Sequence, residues 1–148
     1  MMTRKATEND LPIIAELPAV VASVTIAGET EPRVALTASA VTLLTQLWDQ
    51  HGPLMFHQSG GCCDGSSPMC YPLDDFITSD ADVLLGELEI AADDVAGRSI
   101  PFYMSVEQFE YWRHTFLTVD VVPGRGSGFS LEAPEGKRFL IRSRLMGV

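Results

Sequence analysis

The chain has 148 residues, enough for one domain with a sizeable core. Its 46% hydrophobic content against 20% charged residues, with seven phenylalanines and two tryptophans, excludes a disordered chain. Twenty acidic against ten basic residues leave a net charge of −10, which repels phosphate backbones and argues against a nucleic-acid partner.

The first twelve residues are polar and read as a flexible arm, leaving 13–148 as a single domain. Arg4 and Lys5 are followed by Glu8 and Asp10, unlike the start of a signal peptide. The apolar stretch 11–27 is interrupted by Pro12, Glu16 and Pro18, so no membrane span is expected and a cytoplasmic location is the default. Residues 20–26 are β-branched and alternating, which predicts a strand, and 28–32 predicts a turn.

Thr37 is placed to cap a helix whose apolar positions Val41, Leu44, Leu47 and Trp48 recur at helical spacing. Gly52-Pro53 ends it. His51 sits where a cation favours the helix dipole. Leu54-Met55-Phe56 predicts a short buried strand running into a cysteine loop, residues 83–90 a second strand weakened by Gly86, and 100–104 a third. Ser105 caps a short helix, with Gln108 at the capping-box position and Phe109 and Trp112 facing inward. His114 is expected at the surface. Strands are predicted over 116–122, 129–131 and 138–145, with a glycine-rich turn over 123–128. That turn lacks the Lys-Ser/Thr of a phosphate loop. The fold class is α+β, with mixed or mostly antiparallel short strands and two helices.

Chemistry concentrates in Ser59-Gly60-Gly61-Cys62-Cys63-Asp64-Gly65-Ser66-Ser67-Pro68-Met69-Cys70-Tyr71. Three cysteines within nine positions are not a disulfide framework, and in a reducing compartment such a cluster points to metal or redox chemistry. Thiolates are soft ligands for zinc, copper(I) or an iron–sulfur cluster. Glycines let the backbone curl around an ion and aim amide donors at sulfur. Candidate metal ligands are Cys62, Cys63 and Cys70, with His57 or Asp64 as auxiliaries. Ser66 and Ser67 lack the G-x-S-x-G setting of a nucleophile.

The string from Phe56 to Tyr71, Phe-His-Gln-Ser-Gly-Gly-Cys-Cys-Asp-Gly-Ser-Ser-Pro-Met-Cys-Tyr, resembles the hallmark of a small bacterial family known as domain of unknown function 779. Members of that family are described as associated with aldehyde dehydrogenases, which makes such an enzyme the partner the resemblance implies. Between Val34 and Pro134 the order of features is similar to the A-type iron–sulfur carriers of HesB-like fold. These have a strand like Val34-Ala35-Leu36-Thr37, an amphipathic helix, a Gly-Gly-Cys loop like Gly60-Gly61-Cys62, an aspartate like Asp120, and a Gly-Ser-Gly-Phe turn like residues 126–129. The resemblance implies a HesB-like domain and carries over Cys62 alone as a ligand. Where the carriers have Cys-Gly-Cys, this chain has Gly136-Lys137-Arg138.

Three functional readings follow. The first is a small cytoplasmic metal-binding accessory protein, holding zinc, iron or an iron–sulfur cluster in the cysteine loop. The second is a thiol-redox protein using the same cysteines. The third is a non-catalytic interaction domain. An open sheet edge makes a homodimer a reasonable expectation.

Overall fold

The computed structural model describes residues 17–58, 66–92, 95–124 and 130–146. The expected arm over 1–12, and Cys62, Cys63 and Asp64, lie outside the described residues. In chain order the elements are β1 (Pro18–Val21), β2 (Val34–Thr37), α1 (Ala38–His51), β3 (Leu54–Gln58), β4 (Met69–Pro72), β5 (Asp82–Ala92), β6 (Val95–Ser105), α2 (Val106–Trp112), β7 (Thr115–Pro123) and β8 (Lys137–Leu145). Single 3-10 turns occupy Leu73–Asp75 and Ala133–Glu135.

The strands form two four-stranded sheets, ordered β1-β2-β7-β8 and β4-β3-β6-β5. Each is mixed, with one parallel pairing: β2 on β7 in the first and β3 on β6 in the second. Among the described residues the class is therefore α+β with two helices and mixed sheets, as the pattern of short strands predicts.

The two sheets share one core. Val34, Leu36, Leu117, Val119, Phe139 and Ile141 of the first sheet join Leu54, Phe56, Leu88, Ile100, Phe102 and Met104 of the second in a single buried cluster. Phe56 packs edge-on against Phe139, with ring centroids 5.0 Å apart, and this contact ties the sheets together. Helix α1 adds Ala40, Leu43, Leu44 and Leu47 to the same cluster, the face that helical periodicity predicts.

Thr37 begins α1 and does two jobs with one hydroxyl. Its Oγ1 accepts from Ala40 N at 3.2 Å and donates to Asp120 Oδ1 at 3.0 Å. Asp120 in turn accepts from Arg142 Nε at 2.7 Å. Three neighbouring strands of the first sheet are thus joined on its outer face.

Both edges of the second sheet are covered from within the chain. The strand expected over 20–26 is really Pro18–Val21, which leaves the first sheet and crosses to the edge of the second. There Ser23 N donates to Glu87 O at 3.0 Å and Thr25 Oγ1 to Leu84 O at 2.8 Å. Gly86 makes the crossing possible, because a Cβ there would lie 2.7 Å from both Ala22 Cβ and Ser23 O. At the opposite edge, Ser130 and Leu131, the described part of the strand expected over 129–131, are not strand. Ser130 and Leu131 instead lie along β4, with Leu131 N donating to Cys70 O at 3.0 Å and Cys70 N to Ser130 Oγ at 2.8 Å. A side chain captured the backbone donor that a ladder would have used.

Candidate functional site

The cysteine-bearing segment leaves the sheet at Gln58, the last residue of β3, and returns at Ser66 before β4. Both ends are fastened. Gln58 Nε2 donates to Ser66 Oγ at 3.4 Å, across the mouth of the loop. Ser66 O accepts from Ile141 N at 2.8 Å, which joins the returning chain to β8 of the other sheet. Arg138, also on β8, donates to Ser67 Oγ at 2.5 Å. The thiol-bearing loop is therefore mounted on rigid strands of both sheets.

Cys70 lies directly opposite Phe56 in the antiparallel β3–β4 pair and faces the shared core with no exposure. Burial pushes its thiol well above the ordinary value, and the charge of Glu132 adds to the effect. The thiol is the resting form of this side chain.

His57 is the next residue along β3 from Phe56, and alternation turns it to the opposite face of the sheet. There its Nε2 lies 2.7 Å from Asp82 Oδ1, while Phe76 covers its ring at a centroid distance of 4.3 Å and also stacks on Tyr71. Burial disfavours the Asp82 anion. The hydrogen bonds from His57 and Ser79 N outweigh that and hold the carboxyl below its ordinary value. An ionised Asp82 accepts, so Nε2 is the donor of this pair and Nδ1 is the ring nitrogen that Asp82 does not hold. The structure thus places His57 and Cys70, both ligand candidates, on opposite sides of one sheet.

One residue that sequence reading missed belongs to this region. Glu132 is fully buried at the end of the Ser130–Leu131 strap. Its Oε1 accepts from Ser130 Oγ, the same hydroxyl that accepts from Cys70 N. Its Oε2 has no hydrogen-bond partner among the described residues. Burial raises this carboxyl above its ordinary value, against the pull of Ser130 and of the backbone N–H groups of Glu132 and Phe139. The sequence carried only a faint signal, a glutamate between apolar Leu131 and Ala133 close to the start of the last strand.

Ser130 and Glu132 form a buried polar cluster on the Cys70 backbone, and Gln58, the last described residue before the cysteine loop, is buried as well. Two groups there, a thiol and a carboxyl, are each penalised when charged, and a bound cation would relieve both. Among the described residues no group of three or more His, Cys, Asp or Glu side chains gathers as a complete metal site. His114 is exposed, as expected, and His51 is an exposed residue of the last turn of α1. Among the described residues no helix is long and apolar enough to cross a membrane.

A family model described as Domain of unknown function (DUF779) matches residues 43–145, from within α1 to the end of β8. No curated protein and no solved structure matches the chain.

Proposed function

The chain belongs to the DUF779 family, and we propose that within it this protein is a small metal-binding accessory protein of the cytoplasm. Cys62 and Cys63 are the principal ligands for zinc, iron or an iron–sulfur cluster, with Cys70 as a third and Asp64 as an auxiliary. His57 is the other auxiliary candidate; it faces the other side of the sheet from Cys70 with Nε2 on Asp82, so Nδ1 is the nitrogen it could offer. The observation that carries the reading is the mounting of the loop. The described residues on either side of the two adjacent cysteines, Gln58 and Ser66, are bonded to each other and Ser66 to β8, and Cys70 four residues further on is a buried thiol.

The residues fit a metal in their donor chemistry. Thiolates and a carboxylate are the ligands zinc and iron take. Cys70 enters such a site by releasing its proton to solvent when the ion binds, which makes uptake fall as pH is lowered. The partner we propose is an aldehyde dehydrogenase, whose catalytic thiol this protein would mature or protect, and the HesB-like order of elements is part of the same proposal.

Anaerobic reconstitution with zinc or iron(II), followed by gel filtration, tests the reading. We expect about one ion per chain (or one cluster shared by two chains) to stay with the wild type and to be lost from Cys62→Ser/Cys63→Ser. Wild-type protein that retains neither ion contradicts it.

A second reading, thiol redox, is favoured by one observation. Cys70 is buried and held as a thiol, which leaves Cys62 and Cys63 as the reactive pair. Thiol titration after peroxide tests it: loss of two thiols with Cys70 intact supports it, and three unchanged thiols rule it out.

A further inference from the structure

On the outer face of the first sheet, a groove of about 430 Å³ opens between β1, β7 and the end of β8. Leu17, Pro18 and Val21 wall it on one side, and Phe116 on another. β2 runs between β1 and β7, and level with Val21 and Thr118 it contributes only the methyl of Ala35, which leaves a depression. A second hollow of about 310 Å³ shares Glu31 and Met146 with the first and extends it along the 28–31 turn. Leu17 is 84% exposed and Val21 51%, so their apolar surface stands in water. They adjoin one another around one hollow, unlike the scattered single apolar residues that any surface carries.

Two charges line the same groove, and neither is used within the chain. Arg144 lies over the Phe116 ring, 4.4 Å from its centroid, and Glu31 lines the hollow with it. Among the described residues neither makes an ion pair, although their close neighbours do: Arg142 pairs with Asp120, and Arg33 with Glu29. A patch with an apolar centre, one unpaired cation and one unpaired anion is complementary to itself after a two-fold rotation. A partner surface of one sign would set one of the two charges against its like. We propose that this groove is where two copies of the chain meet, in an isologous dimer centred on Leu17, Val21 and Phe116, with Arg144 of each copy paired to Glu31 of the partner subunit. Burial of the apolar residues supplies the attraction. The two rim pairs set the orientation and exclude other partners more than they add affinity. The proposal goes beyond the metal-binding reading and does not depend on it.

Sedimentation velocity of the full chain, over a range of about 1 to 100 μM, tests it, with circular dichroism to verify each fold. The wild type should pass from one-chain to two-chain mass across that range. Glu31→Arg and Arg144→Glu should each stay monomeric, because like charges then face each other across the axis. Mixed in equal amounts, the two variants should associate again, within about threefold of wild-type affinity, since each offers the charge the other lacks. Such recovery requires that positions 31 and 144 meet between copies. Should a charge variant not fold, Leu17→Asp takes its place, because so exposed a side chain can change without cost to the core. That variant should weaken the dimer at least roughly tenfold. Wild type that stays monomeric throughout overturns the proposal and leaves the groove to another occupant. A dimer that the charge variants and Leu17→Asp leave unchanged overturns this surface as its seat. Variants that dissociate and do not recover on mixing overturn the two-fold pairing.

Discussion

Gly86 reads in the sequence as a defect in a strand, and its real purpose is visible only once two sheets exist. The chain leaving β1 crosses β5 at this point, and any Cβ would press on Ala22 and on the carbonyl of Ser23. Both obstacles belong to backbone or to a short buried side chain, so neither can swing away. Gly86→Ala is expected to destabilise the fold by about 1–3 kcal/mol in urea denaturation. Wild-type stability in that variant would mean that the crossing segment is held loosely.

Carboxylates divide into two groups at neutral pH. Asp82 and Asp120 are held below the ordinary aspartate value of 3.8 by their hydrogen-bond donors, despite burial. Their folded forms therefore bind protons less readily than their unfolded forms. The stability they contribute is complete above the ordinary value and is lost as pH falls through and below it. Glu132 has the opposite sign: its raised value means that its anion costs stability at neutral pH and that protonation in mild acid restores it. Asp120→Asn, which leaves Arg142 without its partner, should cost about 2 kcal/mol at pH 7. The variant should also lose less stability than wild type between pH 5 and pH 3, as denaturation at both values will reveal.

Among the elements, α1 was the easiest to read and β4 the hardest, for physical reasons. Thr37, the apolar spacing from Leu43 to Leu47 and the stop at Gly52 act within a few residues of each other, so a linear sequence displays them. Thr37→Ala removes both the cap and the bond to Asp120, and should cost about 1–2 kcal/mol by thermal or chemical unfolding. A loss near zero would show that the helix is set by packing alone. Met69–Pro72 is short, follows a Ser-Ser-Pro turn and looks like part of the cysteine loop, yet pairing with β3 makes it a strand. β5 and β6 run eleven residues each as a single hairpin, longer than their apolar cores at 83–90 and 100–104 predict. Their outer ends are fixed by pairing between strands, which a local pattern does not contain. Conversely, Phe129-Ser130-Leu131 alternates like a strand, but Ser130 gives its hydroxyl to Cys70 and Glu132.

At the scale of the chain, the mixed α+β class and the location of the core were legible, because they follow from hydrophobic patterning. The candidate site was legible in part. The glycine and cysteine string marks the loop without geometry, but nothing local says that His57 turns to the far face or that Cys70 enters the core. Pairing register decides both, since Phe56 opposite Cys70 fixes every second residue of β3 and β4. Glu132 was hidden for a similar reason, because it is sixty-two positions from Cys70 in sequence and meets it only through the Ser130 strap. What emerges is a two-sheet body in which the chain covers both edges of the second sheet, with a buried polar cluster of Ser130 and Glu132 against the Cys70 backbone.

The most direct test of the central claim is elemental analysis of anaerobically purified protein, run beside a Cys62→Ser/Cys63→Ser/Cys70→Ser variant of verified fold. The account predicts near-stoichiometric zinc or iron in the wild type and none in the variant. Metal-free wild type that also fails to take up either ion on reconstitution would contradict it.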